Sequence, residues 1–320
     1  MFKYTIKKLL GMIPMLIIIT FLIYFLLELT PGDAVSHLMD PEAMARLSPE
    51  QVTALRAAYG LDKPFIVRYF MWLFQILQGN FGFSSASGVP VRDIMAQLLP
   101  ATLELSGAAL VISTVLGSVL GVLGAVRKGT LGDNVLTVAG MIGVSIPQFF
   151  FGVCAILIFS LTLGWLPVGG RTDPTVVNFL GRVKYLILPA LVLGISQTAG
   201  VMRYARTSML DTMNKEYIRT ARSKGLPEWR VNLIHGFRVS LTPVIVLVGF
   251  RLPTLIAGSV VIESVFQWPG IGNAFNTAVR SANYNLVMMI ALLFVFMVLA
   301  ASTIVDILTA LLDPRVKLDS

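Results

Sequence analysis

The chain has 320 residues, of which 56% are hydrophobic and 13% are charged, and its formal net charge is +8. Soluble domains have about 25% charged residues, so this chain has too few charges to cover a water-facing surface. The composition therefore excludes a purely soluble globular protein, and the same hydrophobicity excludes intrinsic disorder.

Six segments are apolar over about 20 residues, the length that a helix needs to cross a membrane. They are residues 9–29, 101–126, 135–163, 185–202, 239–262 and 286–312. The first segment follows Lys3, Lys7 and Lys8. It is longer than a signal-peptide core and no small-residue cleavage site follows it, so we interpret it as a retained anchor with a cytoplasmic N-terminus.

The basic residues support this orientation, which also places the C-terminus in the cytoplasm. Lys and Arg collect in the short cytoplasmic segments of membrane proteins. The segments assigned to the cytoplasm hold 15 Lys and Arg residues, and the short segments assigned to the outside hold 4. Membrane topology therefore explains the positive charge, and we predict no nucleic-acid partner. The single cysteine, Cys154, excludes an internal disulfide.

The outside segment 30–100 is too long to be a bare connection. Ser48-Pro49-Glu50-Gln51 has the residues of a capped helix start. A second helix is predicted after Lys63-Pro64, because apolar residues then recur at helical spacing, at Phe65, Tyr69, Trp72, Leu73 and Ile76. This apolar face either packs on the spanning helices or the membrane interface, or docks an external partner.

The second predicted span has small residues at every fourth position, including Ser113, Gly117 and Gly121. Small residues along one face allow another helix to approach closely, so the pattern predicts tight helix packing. Proline in or near a span predicts bent helices in a bundle. Such prolines occur in the later spans, at Pro147, Pro189, Pro243 and Pro253.

The sequence contains no Walker A, HExxH or GxSxG pattern, so no enzyme active site is predicted. His37 and His235 fall on opposite sides of the membrane and cannot share a metal ion. The charged residues in or beside the spans are few: Glu28, Glu104, Arg251, Glu263 and Asp306. Glu104 and Asp306 suit interfacial or helix-terminus roles. Arg251 falls near the middle of the fifth span and must face protein or water, either in a structural ion pair or on a translocation path.

The cytoplasmic segment from Arg203 to Arg238 separates the fourth and fifth spans and holds eight basic and three acidic residues. A helix is predicted near 216–224, ended by Gly225-Leu226-Pro227, and a second short helix near 228–237. A segment of 36 residues with two helices is larger than an inside turn needs. The size of this segment indicates that it has a function beyond connecting the two spans.

Seven motifs follow one another along essentially the whole chain. They are Thr30-Pro31-Gly32-Asp33, Tyr59-Gly60-Leu61-Asp62-Lys63-Pro64, Leu99-Pro100-Ala101-Thr102-Leu103-Glu104-Leu105, Gly164-Trp165-Leu166-Pro167, Tyr217-Ile218-Arg219-Thr220-Ala221-Arg222-Ser223-Lys224-Gly225, Glu263-Ser264-Val265-Phe266-Gln267-Trp268-Pro269-Gly270 and Leu312-Asp313-Pro314-Arg315. With these motifs the chain resembles the membrane-spanning permease subunits of bacterial peptide-type ABC importers. That branch handles dipeptides, oligopeptides and, in some members, nickel or glutathione.

In such importers a cytoplasmic loop docks a short coupling helix on the ATPase subunit. The family pattern is Glu-Ala-Ala, three residues and Gly, so the resemblance matches Ala221 and Gly225 and puts Arg219 in the place of the Glu. We expect the small Ala221 to allow close approach, Gly225 to permit a turn, and the basic residues to meet an acidic rim. The candidate coupling residues are Glu216, Tyr217, Arg219, Thr220, Ala221, Arg222, Lys224 and Gly225.

The resemblance implies an all-α integral membrane fold with six spans. A type-1 ABC importer transmembrane domain would occupy residues 95–312, after a first transmembrane helix and a long extracytoplasmic loop at 1–94 and before a cytoplasmic tail at 313–320. Membrane lipid surrounds such a protein in the bacterial plasma membrane.

The implied function is transport of di- or oligopeptides by alternating access in a heteromeric complex. The partners would be a second homologous permease subunit, two ATPase subunits that hold ATP and magnesium, and an extracytoplasmic substrate-binding protein, while this chain holds no cofactor. Nickel chelates, glutathione and short oligosaccharides are alternative cargoes. The rival class, an ion-coupled secondary transporter, predicts internal repeats and polar sites at mid-membrane.

Overall fold

The computed structural model describes residues 2–30, 46–58, 60–172 and 179–312. Within these ranges the chain is helical apart from turns and one isolated β-bridge between Phe83 and Pro90. Pro31, Gly32 and Asp33 of the first motif, His37 and the tail 313–320 lie outside the described residues.

The helices of the described residues alternate between long spans and short connecting helices. They are α1 (Phe2–Glu28), α2 (Pro49–Ala58), α3 (Phe65–Leu77), α4 (Val91–Val126), α5 (Leu131–Ser145), α6 (Gln148–Ala155), α7 (Phe179–Met213), α8 (Glu216–Ser223), α9 (Arg238–Val265), α10 (Ile271–Arg280) and α11 (Tyr284–Leu312). α6 continues directly as a π-helix, Ile156–Thr162. A helical turn, Glu228–Arg230, and a second π-helix, Val231–Phe237, lead without a break into α9.

Four of the described helices are long and apolar enough to cross a membrane, namely α1, α4, α7 and α11. Within the third predicted span, 135–163, α5 and α6 meet at a bend of 100°, which agrees with the bent helix predicted from Pro147, and the span itself stays a prediction. The bend falls at Pro147, whose ring holds the preceding Ile146 in an extended conformation (ψ 124°). α9 covers the predicted fifth span, 239–262, and the count of six spans stays a prediction.

The packing of the helices divides the chain into two compact units. The described residues of the first unit are 102–172, 179–268 and 300–312, and those of the second are 2–30, 46–58, 60–101 and 269–299. The predicted domain boundaries after residues 94 and 312 remain predictions.

In the first unit, α7 is the central helix and packs against α5, α6 and α9. The small residues of α4 also face α7. A Cβ atom placed on Gly117 would lie 2.5 Å from the Cβ of Val201, and one placed on Gly121 would lie 2.5 Å from the carbonyl oxygen of Met202. Ser113 is fully buried one turn earlier. The two helices therefore approach backbone to backbone, which side chains at these glycines would prevent.

In the second unit, the predicted helix starts are confirmed. The Ser48 amide donates to Gln51 Oε1 at 2.8 Å and the Gln51 amide donates to Ser48 Oγ at 3.3 Å, which is the reciprocal pairing of a capping box. Helix α3 begins at Phe65, directly after Pro64.

Helix α3 packs on α1. Tyr69 is 2% exposed, its hydroxyl donates to the carbonyl of Ile17 at 3.1 Å, and its ring meets Phe21 edge to face at 5.3 Å. Arg68 forms an ion pair with Glu28 at the end of α1. The structure thus supports the interpretation that α3 packs on the first spanning helix.

Gly121→Ala is expected to destabilise the protein, because the new Cβ would overlap the carbonyl oxygen of Met202 and the side chain of Ala205. Overpacking of this kind costs about 1–3 kcal/mol. Gly107→Ala in the same helix is the control, since no atom lies within 4 Å of its Cβ position. Thermal unfolding in detergent measures both variants. Equal unfolding temperatures for the two would contradict the packing of α4 on α7.

Candidate functional site

Helix α8 is the helix predicted near 216–224. It packs against the rest of the loop that connects α7 to α9. Its buried side chains are Ile218 and Ala221. Both pack on Val231 of the second π-helix, which is also fully buried, together with Met213 and Leu226. The loop between α7 and α9 is therefore a packed structure with a small apolar core.

Ala221 lies on this inward face and is only 7% exposed. Its small size lets α8 approach Val231 within the chain. Within this chain Ala221 therefore has an internal packing role, the exposed residues of α8 lie on its opposite face, and the coupling role of Ala221 stays a prediction.

The end of α8 is a Schellman motif, in which a residue with positive φ reverses the chain. The Gly225 amide donates to the carbonyl of Arg222 at 2.9 Å, and the Leu226 amide donates to the carbonyl of Ala221 at 3.4 Å. Gly225 has φ +73°, and no atom lies within 4 Å of its Cβ position. Its requirement for glycine is therefore conformational rather than steric.

The outward face of α8 is polar and mainly basic. Its exposed residues include Glu216, Tyr217, Arg219, Thr220, Arg222 and, just past the helix, Lys224. Arg222 binds Glu228 through two hydrogen bonds, Nε to Oε1 at 2.9 Å and Nη2 to Oε2 at 3.3 Å. This pair joins α8 to the turn that starts the returning helix, and Arg219 and Lys224 lie exposed beside it.

The C-terminal part of α7 is joined to α5 by an ion pair that the sequence reasoning missed. Arg206 donates from Nε to Asp133 Oδ1 at 2.8 Å and from Nη2 to Oδ2 at 2.7 Å. The amide of Gly129 also donates to Asp133, at 3.0 Å. A two-bond Arg–carboxylate pair fixes orientation as well as distance, so it joins α7 to the turn before α5.

Arg251 of α9 packs on α7 rather than on a carboxylate. Its Nη1 donates to the backbone carbonyl of Gln197 at 2.7 Å, and its guanidinium occupies the space that a side chain on Gly200 would take. Among the described residues no acidic group forms an ion pair with it, so the ion-pair alternative has no partner there.

Arg251 also lines a cavity of about 680 Å³ between α7 and α9. The cavity runs along α7 from Gly200 to Thr212 and on to Lys215, just past the helix. It has three basic lining residues and one acidic one, namely Arg203, Lys215, Arg251 and Asp211. Hydroxyl groups of α7 complete its polar lining, at Tyr204, Thr207, Ser208 and Thr212. Its size is within the range of small-molecule sites, about 300–1,000 Å³.

Of the two roles expected for Glu104, the helix-terminus role is wrong, because α4 begins at Val91 and Glu104 lies inside it, and the interfacial role stays a prediction. Glu104 instead forms ion pairs with Arg171, at 2.5 Å, and with Arg182, at 3.1 Å. Glu263 is fully buried and accepts hydrogen bonds from Thr102 at 2.8 Å and from Ser259 at 3.1 Å. Glu104 and Glu263 therefore have partners of their own, and neither lines the Arg251 cavity, whose acidic lining residue is Asp211.

Comparison with known proteins shows the fold of this chain and the family to which it belongs. Residues 113–318 match the family described as binding-protein-dependent transport system inner membrane component, and residues 1–106 match its N-terminal component. In an inward-facing structure of the methionine ABC transporter MetNI, a chain with 17% identity aligns with a TM-score of 0.57 over 70% of this chain and 98% of its own length. This likeness shows the fold of an ABC importer transmembrane domain.

The curated relatives match over the whole length. The oligopeptide transport system permease protein AppB of Bacillus subtilis is 39% identical over 99% of this chain and all of its own length. The dipeptide transport system permease protein DppB of Escherichia coli is 32% identical over 99% of both chains.

The fold and these matches define a multi-pass inner-membrane transport subunit, not an enzyme. The chain belongs to the family of inner-membrane permease components of binding-protein-dependent transport systems. Members of this ABC importer family work together with further permease, ATPase and substrate-binding components.

Gly225→Ala is expected to weaken the end of α8 by about 1–2 kcal/mol, because a residue with a Cβ resists positive φ. Gly225→Asn is the matched control, since asparagine tolerates this conformation better. The measurement is the fraction of ATPase subunits that stays with the permease through purification, expected in the order wild type, Asn, Ala. An Ala variant that retains as much ATPase as the wild type would contradict this role of the turn.

Proposed function

We propose that this chain and a second homologous permease subunit form a translocation path for di- or oligopeptides, which they move by alternating access. The full-length relatives carry the peptide part of the proposal, because those described above are named as oligopeptide and dipeptide permeases. Two ATPase subunits would bind ATP and magnesium, and an extracytoplasmic binding protein would deliver the peptide. Nickel chelates, glutathione and short oligosaccharides remain alternative cargoes.

The proposed orientation has both termini in the cytoplasm. The distribution of Lys and Arg over the short connecting segments supports it. In this orientation the loop that contains α8 faces the cytoplasm, where the ATPase subunits are.

The observation that carries the coupling mechanism is the connection between α7 and α8. Only two residues separate the end of α7 at Met213 from the start of α8 at Glu216. The core around Val231 and the Arg222–Glu228 pair hold α8 in place on the returning helix. A movement of α8 with the ATPase subunits would therefore pass to α7 and α9 as a rigid-body movement.

Uptake by the complete complex in proteoliposomes tests the function. Labelled dipeptides or oligopeptides are expected to enter only with ATP inside and with the binding protein outside, and a proton uncoupler is expected to leave uptake unchanged. Nickel chelates, glutathione and short oligosaccharides serve as competing cargoes. Uptake that needs a proton gradient, or a complex that carries one of these cargoes and no peptide, would contradict the proposal.

We also propose that Arg251 lines the translocation path. Its position on a basic cavity supports this role, and so does the absence of an acidic partner among the described residues. An arginine at mid-membrane must face protein or water, and the cavity supplies a polar surrounding.

Arg251→Gln is expected to change the relative uptake of anionic and cationic peptides by about tenfold, which corresponds to loss of an interaction of about 1.4 kcal/mol. Arg251→Lys keeps the charge and is expected to preserve most of the wild-type ratio. Binding-protein affinity for each peptide is measured separately, and both variants must retain their ATPase subunits. A folded Gln variant with unchanged transport and substrate range would contradict the path-lining role.

A further inference from the structure

We propose that the ATPase-docking surface extends beyond α8 to an apolar patch formed by Trp229, Leu233 and Ile234, in which Trp229 is the anchor residue. The partner is the cytoplasmic ATPase subunit of the importer, and Trp229 enters an apolar pocket on it. This inference rests on the proposed coupling role of the loop and adds a second point of contact to it.

The patch is unusually apolar for an exposed cytoplasmic loop. Trp229 is 57% exposed, Leu233 is 55% exposed and Ile234 is 49% exposed. Trp229 and Leu233 are four residues apart on one uninterrupted helical segment and so lie on the same side of it. Grouped exposed side chains of this kind mark interaction sites, and Trp is among the residues that most often dominate binding energy.

The position of Trp229 along the fold favours a protein partner over the membrane. Helix α7 continues for 11 residues past Met202, the end of the predicted fourth span, to Met213. At 1.5 Å per residue this carries the chain about 16 Å beyond the span, whereas the interfacial layer on each side of a membrane is about 5–8 Å thick. Helix α8 begins there and packs on Val231, so Trp229, which precedes Val231, lies at the far end of the loop from the membrane.

The backbone that carries Trp229 is fixed on both sides. Glu228 is held by two hydrogen bonds from Arg222, and Val231 is fully buried against α8. An anchor on a preorganised backbone loses little conformational freedom on binding. The patch would therefore move with α8 as one surface.

The surrounding charges indicate the chemistry of the pocket. The guanidinium of Arg230 lies 5.4 Å from the centre of the Trp229 ring, and Arg219 and Lys224 are exposed on the same loop. An apolar pocket with carboxylates at its rim fits this arrangement, because opposite charges at the rim steer association and fix its register.

Photocrosslinking in the complete complex tests the proposal. Benzoylphenylalanine in place of Trp229 is expected to crosslink to the ATPase subunit. Benzoylphenylalanine in place of Tyr217 on α8 tests the coupling role alone. Benzoylphenylalanine in place of Trp165 serves as the control, because Trp165 is 62% exposed and lies in a predicted outside loop. Crosslinks from position 217 without crosslinks from position 229, or crosslinks from 229 to lipid, would overturn the Trp229 proposal. Absence of ATPase crosslinks from both positions would overturn the coupling role of the loop as well.

Affinity supplies the second measurement. Trp229→Ala is expected to raise the Kd of the purified ATPase subunits for permease in ATPase-stripped membranes by about thirtyfold, the loss typical of an anchor residue. Trp229→Phe keeps an aromatic ring and is expected to lose less. Trp165→Ala is expected to bind the ATPase subunits as the wild type does. An unchanged Kd for a folded Trp229→Ala variant would overturn the proposal.

Discussion

Two glycines of α4 let its backbone contact α7 directly. Both functional regions proposed for the first unit are built on α7. Gly117 and Gly121 meet α7 at Val201 and Met202, where a side chain on either glycine would not fit. α7 itself is one unbroken helix of 35 residues, Phe179–Met213, with Pro189 inside it. Farther along, the Arg206–Asp133 pair joins its C-terminal part to α5.

The same helix serves both proposed functional regions. Its middle turns carry Gly200, which leaves space for the guanidinium of Arg251, and line the basic cavity. Its end leads after two residues into α8, the proposed contact with the ATPase. A displacement of α8 would therefore reach the cavity without passing through a flexible connection. This arrangement would let a chain whose sequence has no Walker A pattern respond to ATP bound by partner subunits.

Local sequence signals predicted the local structures well. The helix starts at Pro49 and Phe65 and the turn at Gly225 depend on residues only a few positions apart, so capping and backbone rules were sufficient. The all-α fold followed from the long apolar segments. The bend between α5 and α6 agrees with the bent helix predicted from Pro147, but the apolar composition continues through this proline and gave no sign of the size of the bend.

Contacts between residues that are far apart in the sequence were harder to predict. Asp133 and Arg206 are 73 positions apart, and no short motif pairs such residues. The side of α8 on which Ala221 lies could not be decided from its size, because a small residue suits an internal contact as well as an external one. Trp229 had no motif signal at all, and only its exposure beside the core around Val231 singles it out.

The rigidity of α7 between Gly200, where it contacts Arg251, and α8 is the central claim, and its most direct measurement is the number of peptides transported per ATP hydrolysed. Thr207 and Asp211 are exposed residues in the C-terminal part of α7, and the double variant Thr207→Gly with Asp211→Gly has a helix less stable by about 2 kcal/mol than the matched double Ala variant. The matched variant Thr207→Ala with Asp211→Ala removes the same side chains and keeps a strong helix. The account predicts that the Gly variant assembles and hydrolyses ATP but transports several times less peptide per ATP than the Ala variant. Equal ratios for the two variants would contradict it.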